Sequence, residues 1–371
     1  MQALSSIGTL IHLILENIPL VILAILGISF LIVFHEFGHL MFAKLFNVYA
    51  PSFSIGFGPH LLKKKIGETT YALSAIPLGG YVEMAGATEE APEGAPHDTT
   101  LPIERTFNAK PYWQKLLIMF GGILFNLLLA YIILSLLYMA GTPCIGSACD
   151  NEQASIGAVH PGTPAEKAHL QAGDLIVGVQ DKKTPSIKTL LEELKPFIGK
   201  PVALEVLRKG VPQKIELTSE SQGEGAQAKP RLGVTWNIEK KDFAQAFKSG
   251  FTTTKALTLQ TMGVFKNIGK SKGSEFGGPL MLICQVTQFA GLGFKMFLFI
   301  LAFISINLAV FNLLPFPIFD GGQILFVTIE ALTGRPLSEK ARESIHYYTW
   351  IAVIVLVVLL TGKDLLRLCG R

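Results

Sequence analysis

Four long apolar segments constrain this chain more than any other feature of its sequence. They lie at residues 18–46, 114–140, 294–316 and 345–362, and each is close to the ~20 residues that span the hydrocarbon core of a bilayer as a helix. Half of the 371 residues are hydrophobic and only 16% are charged, whereas a water-soluble chain of this size needs more polar surface. The sequence therefore predicts a polytopic α-helical membrane protein with about four transmembrane helices.

Positive charge is distributed unevenly around the first apolar segment. The residues before it carry no Lys or Arg and no small-residue cleavage site follows it, which favours a retained signal anchor over a cleaved signal peptide. The basic residues from the end of the first segment to the start of the second are Lys44, Lys63, Lys64, Lys65, Arg105, Lys110 and Lys115. This asymmetry predicts an N-terminus outside and a cytoplasmic loop at 47–113, although Lys363, Arg367 and Arg371 at the other end favour the opposite orientation.

Two regions between the apolar segments have the patterns of β-structure. Residues 69–84 (TTYALSAI, then PLGG and YVEM) predict short strands joined by a turn. Residues 86–98 are polar, acidic and rich in Pro, which is typical of a solvated linker. The hairpin pattern at 201–218 and the amphipathic helix pattern at 186–198 predict a compact soluble module.

This central module resembles a PDZ domain. The likeness rests on PGTPAEKAHLQAGDLIVGVQ at 161–180, where the Gly173-Asp174 turn follows a short helix start. It departs from the usual pattern at Asp181, because Lys182 follows where a Gly is common. The resemblance implies an α+β domain inserted at 150–225, and the spacing of Cys144 and Cys149 just before it permits a short disulfide in an oxidising compartment.

His35, Glu36 and His39 form an H-E-x-x-H motif inside the first apolar segment. On a helix, His35 and His39 lie one turn apart on the same face, so each can give one nitrogen to a single Zn²⁺. Glu36 borders that face and can accept a proton from water, as a general base. The alternative is a set of buried helix residues without a metal, but groups this polar at bilayer depth are costly unless they have a function.

A third zinc ligand is expected far along the chain, at Asp320. The nearest acidic residues, Glu68 and Glu83, are in no obvious helix, whereas Asp320 follows a Pro-interrupted end of the third apolar segment, NLLPFPIFDGG at 312–322. Irregular backbone at membrane depth is tolerated where it is buried in protein or lines a wet cavity, which makes Asp320 a natural oxygen ligand. The alternative for Asp320 is the N-cap of the helix that continues through GGQILFVTIEAL.

Together, these motifs resemble the site-2 protease family of intramembrane zinc metalloproteases, and within it the bacterial RseP/RasP type with a single PDZ domain. The likeness runs over nearly the whole chain, and its motifs are His35-Glu36-Phe37-Gly38-His39 and Asn312-x-x-Pro315-x-Pro317-x-x-Asp320-Gly321-Gly322. The resemblance implies that His35, His39 and Asp320 bind Zn²⁺ and that Glu36 is the catalytic base. It also implies a multi-pass protein of a bacterial inner membrane, with the PDZ domain outside and the active site near the cytoplasmic side.

The resemblance further implies substrate-binding roles for Asn312, Pro315, Pro317, Gly79 and Gly80. The last two belong to a segment at 69–84 that resembles a membrane-associated β-hairpin of the family. A transmembrane substrate must unwind locally before hydrolysis, and a strand edge can satisfy its freed backbone groups by β-addition. The alternative is a hairpin that only seals the catalytic chamber. The PDZ domain in turn binds chain ends or excludes substrates with bulky ectodomains.

Some positions depart from the family's pattern. In the second apolar segment, Gly122-x-x-x-Asn126 matches Gly-Pro-x-x-Asn except that Ile123 replaces the proline. Phe319 stands where a Leu usually precedes Asp-Gly, and Gln323 stands where a His often follows. These changes affect packing around the site and leave the expected ligands intact.

Polar side chains inside the second and third apolar segments have a structural interpretation. Asn126 and Asn307 are expected to form hydrogen bonds from helix to helix, since an amide in hydrocarbon needs a partner. A catalytic role for either is the less favoured interpretation.

The predicted function is intramembrane proteolysis by a zinc endopeptidase. Substrates would be single-span membrane proteins already shortened by a first-site protease, with anti-sigma factors and signal-peptide remnants as the family's usual classes, and no nucleic acid is expected as a partner. The alternatives are a non-catalytic membrane PDZ scaffold and a metal transporter, whose ligands would be spread along the depth of the bilayer.

The predicted organisation is a first helix at 1–46, a cytoplasmic-side loop at 47–113, a second helix at 114–140, the PDZ domain at 150–225, a linker with amphipathic and re-entrant segments at 226–293, a third helix at 294–335 and a fourth at 336–371.

Overall fold

A computed structural model describes residues 17–87, 102–141, 143–144, 152–222, 229–237, 240–266, 278–335 and 338–369. Most of the acidic stretch at 86–98 lies outside the described residues, and so does Cys149 of the possible Cys144–Cys149 disulfide. The chain divides into two compact units. The first comprises Met1–Ile133 and Thr258–Arg371, and the second comprises Leu134–Leu257.

Long apolar helices alternate along the chain with regions that contain strands and shorter, more polar helices. The helices are α1 (Ile18–Leu45), α2 (Tyr112–Ala140), α3 (Pro164–Lys167), α4 (Ile187–Leu194), α5 (Phe243–Lys266), α6 (Pro279–Gly291), α7 (Phe294–Asn312), α8 (Asp320–Thr333) and α9 (Glu339–Cys369). The strands are β1 (Ser52–Ile66), β2 (Thr69–Glu83), β3 (Pro143–Cys144), β4 (Ala154–Val159), β5 (Leu175–Val179), β6 (Lys182–Lys183), β7 (Pro201–Arg208), β8 (Val211–Thr218), β9 (Glu220–Gln222), β10 (Lys229–Arg231) and β11 (Val234–Asn237).

Four helices in the described part of the chain are long and apolar enough to cross a membrane. They are α1, α2, α7 and the Lys340–Asp364 portion of α9. The expectation of about four spanning helices is therefore confirmed. The third apolar segment ends as a helix at Asn312, short of the expected 316, because Pro315 and Pro317 cannot continue a helical hydrogen-bond ladder.

Helices α1 and α2 approach each other closely where both carry glycine. A Cβ added to Gly38 would lie 2.4 Å from the carbonyl oxygen of Gly121, and a Cβ added to Gly121 would lie 2.7 Å from the carbonyl oxygen of Gly38. Small residues let membrane helices pack backbone against backbone without a clash. Along the same helix, a Cβ on Gly27 would lie 2.8 Å from the ring of Phe297 in α7. Helix α1 is thus packed between α2 and α7.

Strands β1 and β2 form one irregular sheet rather than the short hairpin expected within 69–84. Residues 52–55 pair with 70–73 and also with 80–83, while 62–66 pair with 69–73. The two strands expected within 69–84 do not pair with each other. They lie on either side of the first part of β1, because the glycines at 79 and 80 let β2 bend around it. The expectation that 69–84 forms its own hairpin is therefore wrong, although its strand character is confirmed.

This sheet packs against the transmembrane helices. The buried side chains that join it to α1, α2 and the Phe107 loop are Leu40, Ala43, Val48, Ala50, Phe53, Val82, Met84, Phe107, Ile118 and Met119. The Ser29 hydroxyl, in the middle of α1, donates a hydrogen bond to the carbonyl of Pro77. The sheet therefore lies along α1 from its C-terminal end to its middle.

The second unit is an α+β module built on a mostly antiparallel sheet. Its strand order is β3-β11-β4-β5-β7-β8, with β6 paired to β5. Strands β7 and β8 confirm the predicted hairpin, and α4 confirms the predicted amphipathic helix, with the Ser186 hydroxyl accepting a hydrogen bond from the Thr189 amide. The lysine after Asp181 is accommodated by a turn in which Gln180 and Asp181 both have positive φ, at 45° and 66°.

The predicted Gly-Asp turn of this unit carries a buried ion pair. Gly173 has a φ of +91°, and the Asp174 side chain that follows it is only 1% exposed. The Arg208 guanidinium donates to Asp174 Oδ2 at 2.7 Å and to Oδ1 at 2.8 Å. These hydrogen bonds hold the pKa of the Asp174 carboxyl below its ordinary value despite its burial. The turn is therefore fixed to β7 by charge as well as by packing.

Candidate metal centre

Two histidines of α1 point toward α2 and are almost fully buried. His35 and His39 are 6% and 5% exposed, and their Nε2 atoms lie 3.2 Å apart. His39 Nδ1 lies 2.8 Å from the carbonyl oxygen of Ile118 in α2. Because a carbonyl can only accept, this contact places the proton on Nδ1 and leaves the lone pair of Nε2 available to a metal.

Asp320 reaches the same point from the far end of the sequence. It is the first residue of α8, after a non-helical segment at 313–319 that turns the chain back. Phe319 is the N-cap residue of α8. The structure therefore does not show the alternative role of Asp320 as the N-cap. Asp320 Oδ2 lies 3.2 Å from His35 Nε2, and Oδ1 lies 3.4 Å from His39 Nε2.

The turn before α8 depends on two glycines. A Cβ on Gly321 would lie 2.3 Å from the carbonyl oxygen of Leu313, and a Cβ on Gly322 would lie 2.1 Å from that of Phe316. Any larger residue would push the loop away from the helix start. Gln323 adds a further link, since its Nε2 donates to the carbonyl of Pro317 at 3.2 Å and lies 3.4 Å from His346 Nε2. Backbone packing thus sets where Asp320 points.

The separation of the three side chains fits a tetrahedral zinc site. Ligand atoms of His35, His39 and Asp320 lie within 4.8 Å of one another, and they form the group of potential metal ligands found in the described residues. Tetrahedral ligands ~2.0–2.1 Å from Zn²⁺ are ~3.4 Å apart, close to the observed 3.2 to 3.4 Å. Asp320 Oδ2 is also buried without a hydrogen-bond partner, as expected for an atom that is reserved for a metal.

Gly122 of α2 leaves the space that a metal would need. A Cβ at this position would lie 2.5 Å from His39 Nε2 and 2.7 Å from His35 Nε2. A methyl group would therefore enter the space between the two ring nitrogens. The resemblance had singled out Gly122 as part of a motif, and the structure supplies the reason for glycine there.

Asn126 lies one turn beyond Gly122 and contacts the ring of His35. It is fully buried, and its Nδ2 lies 3.0 Å from His35 Nδ1, while its Oδ1 has no partner. The two ends of a carboxamide are nearly indistinguishable, so the orientation follows from the hydrogen bonds that it permits. Turning the amide by 180° lets Oδ1 accept from His35 Nδ1–H, which satisfies the orphaned oxygen and leaves Nε2 for the metal.

The expectation for the two membrane asparagines is confirmed, with a refinement for Asn126. Asn307 accepts a hydrogen bond from Thr261 Oγ1 at 2.9 Å, from helix to helix. Asn126 also bonds between helices, but its partner is one of the metal-site histidines, and its backbone carbonyl accepts from the buried Ser305 hydroxyl at 2.8 Å. Sequence reasoning missed this orienting contact, and the signal for it was the four-residue spacing from Gly122.

Glu36 lies on the side of α1 that faces the sheet. Its neighbours about one turn away in each direction mark this face, since Val33 is close to Gly80 and Leu40 is buried together with Phe53 and Val82 of the sheet. Glu36 itself is half-buried and directly follows His35 in α1, which is compatible with the role of base that the motif predicts.

The other residues expected to bind substrate come from the end of α7, from the loop after it and from β2. Asn312 ends α7 and is half-buried, Pro315 is exposed, and Pro317 supplies the carbonyl that Gln323 binds. Gly79 has a φ of +103° and packs under the ring of Phe57, and a Cβ on Gly80 would lie 2.6 Å from the carbonyl oxygen of Ser54. The structure places both glycines in β2 and keeps all five residues outside the group of potential metal ligands.

Glu68 has a different role from the metal ligands. It lies at the turn between β1 and β2, where it accepts from Lys44 at 2.7 Å and from Arg105 at 2.6 Å. Burial raises the pKa of Glu68, but the hydrogen bonds from the two cations outweigh it, so the net pKa is below the ordinary value. This carboxylate ties the sheet to the end of α1.

Comparison with known proteins agrees with this site. The family model described as "Peptidase family M50" matches residues 23–357. A Clostridium perfringens protein described as "putative zinc metalloprotease" is 32% identical over 350 residues, covering 93% of this chain and 98% of the relative. A Campylobacter jejuni protein of the same description is 32% identical over 360 residues, with 94% and 93% covered. An Enterococcus faecalis protein named "probable protease eep" is 26% identical over 423 residues, with 92% and 98% covered.

The match spans both ends of the site. It begins before the two histidines of α1 and ends after Asp320 and the start of α9. The relatives are aligned over more than nine-tenths of this chain, and the family match includes the sequence of the inserted unit as well as that of both site segments. The chain belongs to peptidase family M50, the site-2 protease family of membrane-embedded zinc metalloproteases.

Proposed function

We propose that this protein is an intramembrane zinc endopeptidase that cleaves the transmembrane segments of single-span membrane proteins. The observation that carries the proposal is the meeting of His35 and His39 from a spanning helix with Asp320 from a broken one, at the separation of a tetrahedral zinc site. The four apolar helices make the protein that holds this site a membrane protein. A hydrolytic metal at this depth has access to helices that soluble proteases do not reach.

The roles of the residues follow from their positions. His35, His39 and Asp320 would hold Zn²⁺, which supplies Lewis-acid polarisation of the scissile carbonyl and lowers the pKa of water. Glu36 accepts the proton of the attacking water and delivers it to the leaving amine. Asn126 holds the ring of His35 in the orientation that turns Nε2 toward the metal, as the Ile118 carbonyl does for His39.

The sheet offers an edge for an unwound substrate. Residues 80–82 pair with 53–55 on one side only, in the part of the chain that the structure describes, and Gly80 lies against α1 close to Val33. A substrate strand added there would satisfy its freed backbone groups and present its scissile bond beside Glu36. Asn312, Pro315 and Pro317 flank the entrance from the side of α7. The alternative is a sheet that only seals the chamber.

The inserted unit and the orientation complete the proposal. We assign the PDZ type to the unit at 150–225, on the outer side of a bacterial inner membrane, where it binds chain ends or restricts substrates by size. The RseP/RasP subtype and substrates already shortened by a first-site protease, such as anti-sigma factors and signal-peptide remnants, belong to the same proposal. The asymmetry of basic residues between the first two spans supports a cytoplasmic-side active site.

A comparison of Glu36→Gln with the unaltered protein tests the proposal. Both proteins are purified and reconstituted with a single-span substrate, and cleavage and bound zinc are measured together. We expect cleavage to fall by at least ~10²-fold, because the general base is lost, while the zinc content stays near one ion per chain, because Glu36 is not a ligand. Equal cleavage by both proteins would overturn the protease assignment.

Asp320→Asn provides the second arm of this experiment. A neutral amide is a much weaker zinc ligand than a carboxylate, so we expect both zinc and cleavage to be lost. A scaffold would cleave nothing in any of the three proteins, and a transporter would carry zinc across vesicles without cleaving the substrate. Zinc retained in full by Asp320→Asn would exclude Asp320 as a ligand.

A further inference from the structure

The second half of β1 presents an exposed surface that is both apolar and basic. Leu61, Leu62 and Ile66 are 64%, 69% and 58% exposed, and the intervening lysines at 63–65 are exposed as well. Residues 62–66 pair only with 69–73 in the described chain, so they form an edge of the sheet. We call residues 61–66 the Leu-Lys edge.

Contacts with α1 give the depth of this edge relative to the bilayer. Helix α1 has 28 residues, which at 1.5 Å per residue makes ~42 Å, the thickness of a bilayer with its headgroups. Glu68 is bonded to Lys44 at one end of this helix, and Pro77 is bonded to Ser29, ~22 Å further along it. The sheet therefore runs from the headgroup layer toward the middle of the bilayer.

The lysines lie in the shallow part of this range. Lys65, Lys64 and Lys63 are opposite Thr70, Tyr71 and Ala72, within ~7–13 Å of the turn that holds Glu68, at ~3.3 Å per strand residue. Deeper in the sheet, Phe57 and Ile76 are apolar and 47% and 50% exposed, and the exposed histidine there, His60, contacts the Ser74 hydroxyl at 3.0 Å. Basic side chains at headgroup depth above apolar ones are the pattern of an interfacial anchor.

No acidic group in the described residues neutralises these lysines. The ion pairs that the structure shows do not include Lys63, Lys64 or Lys65, and the nearby carboxylate of Glu68 is occupied by Lys44 and Arg105. Three unpaired cations that would lie in the headgroup layer gain most from lipid phosphate with a net negative charge. Solubility of an edge strand explains lysines alone, but it does not explain why exposed Leu and Ile flank them on both sides.

We propose that the Leu-Lys edge binds anionic phospholipid at the membrane surface, with Leu61 and Leu62 in the acyl layer and the three lysines on lipid phosphate. This contact would anchor the sheet beside α1 and make its position sensitive to the lipid composition. The inference does not depend on the proteolytic function, because it concerns a surface on the opposite edge of the sheet from Gly80.

A tryptophan introduced at position 62 tests the proposal in the full-length protein. Leu62→Trp is reconstituted in vesicles of phosphatidylcholine with one-fifth phosphatidylglycerol. Two preparations are compared, one in which phosphatidylcholine carries the bromine quencher and one in which phosphatidylglycerol carries it. The signal of the introduced indole is obtained by subtracting the fluorescence of the parent protein. We expect brominated phosphatidylglycerol to quench at least ~2-fold more than its share of the lipid predicts, and this excess to disappear in 1 M salt.

Matched triple variants identify the lysines responsible. K63Q/K64Q/K65Q should lose the excess quenching and keep quenching by phosphatidylcholine, which shows that the sheet is still in place. K200Q/K209Q/K229Q, which removes three exposed lysines of the second unit, should keep the excess. Three results would each overturn the proposal. They are quenching by both lipids in proportion to their amounts, an excess of quenching that does not depend on salt, and no quenching at all because a protein partner covers the edge.

Discussion

At the scale of single residues, the site is defined as much by what surrounds the ligands as by the ligands themselves. His35 and His39 are oriented by Asn126 and by the carbonyl of Ile118, both from α2. Gly122, from the same helix, leaves room at the two ring nitrogens. The second spanning helix therefore contributes no residue to the group of potential ligands, yet its contacts orient both histidine rings of that group.

Replacing Asn126 by Leu should weaken zinc binding without removing a ligand. The variant loses the acceptor for His35 Nδ1–H, and loss of such a contact typically costs ~10–100-fold in metal affinity. The measurement is the zinc dissociation constant by competition with a chromophoric chelator. The control is Asn307→Leu, which removes the bond to Thr261 instead and should leave zinc affinity unchanged. Equal affinity in the Asn126 variant and the unaltered protein would contradict the orienting role.

Gly122→Ala should exclude the metal sterically. The new methyl group would lie 2.5 Å from His39 Nε2, a distance that real Cβ contacts do not reach, so the histidine has to move. We expect bound zinc to fall below one-tenth of an ion per chain by elemental analysis, with cleavage lost in parallel. Gly362→Ala in α9 is the control, since a Cβ there meets nothing within 4 Å. Full zinc occupancy in Gly122→Ala would contradict this account.

At the scale of elements, broken and capped helix ends determine how the first unit is assembled. The loop between α7 and α8 packs against Gly321 and Gly322, which directs Asp320 toward α1. A second helix end is held in a similar way. Asp364 of α9 is 1% exposed and accepts from the amides of Gly278 and Met281 at the start of α6, each at 3.0 Å. These amides would otherwise have no acceptor in an apolar environment.

Asp364→Leu should destabilise the contact between α6 and α9 while leaving the metal site intact. Two buried amides lose a charged acceptor, and such a loss costs about 1–3 kcal/mol. We expect faster hydrogen exchange at residues 278–284 and a lower midpoint of thermal unfolding in detergent, with zinc content unchanged. Asp364→Asn retains one acceptor oxygen and should show a smaller effect. Unchanged exchange at the start of α6 would contradict the capping role.

At the scale of the whole molecule, two units of different character share one chain. The first is built around spanning helices and the sheet, and the second is an α+β module with its own buried core. The second unit interrupts the first in sequence, from the last part of α2 into α5. The buried pair of Asp174 and Arg208 gives the second unit a dependence on pH that can be measured separately.

The second unit should lose stability in acid through Asp174. The hydrogen bonds from Arg208 lower the pKa of this carboxyl in the folded state, so its contribution is present above the unfolded value of ~3.9 and is lost as pH falls toward the folded pKa. Asp174→Asn should cost about 1–2 kcal/mol at pH 7 and remove this part of the acid dependence, which sets in as the pH falls to ~4. Hydrogen exchange of residues 154–179 measures both effects.

The control for this pH dependence is Asp181→Asn. Asp181 also pairs with a cation, Lys214, but both side chains are largely exposed, at 79% and 66%. Water and salt screen such a pair, so its loss should change the exchange of the unit little. The same acid dependence in Asp174→Asn as in the unaltered protein would show that another carboxyl is responsible.

The sequence by itself determined the parts of this protein that depend on local pattern. Long apolar runs can satisfy their backbone only as helices in lipid, so the number of spans followed from composition. The i, i+4 spacing of His35 and His39 required a common face, and Pro315 and Pro317 required a break before Asp320. The hairpin at 201–218 and the helix at 186–198 were likewise predicted from their periodicity.

The tertiary structure alone decided which distant groups meet. The pairing of residues 52–55 with both ends of β2 could not be predicted, because alternation along a strand shows which side chains share a face and not which strands become neighbours. The orientation of His35 by Asn126 depends on how closely α2 approaches α1, which glycine contacts set and periodicity does not reveal. The metal site is a property of that approach, since its ligands come from helices that only the packing of the membrane unit brings within a few ångströms.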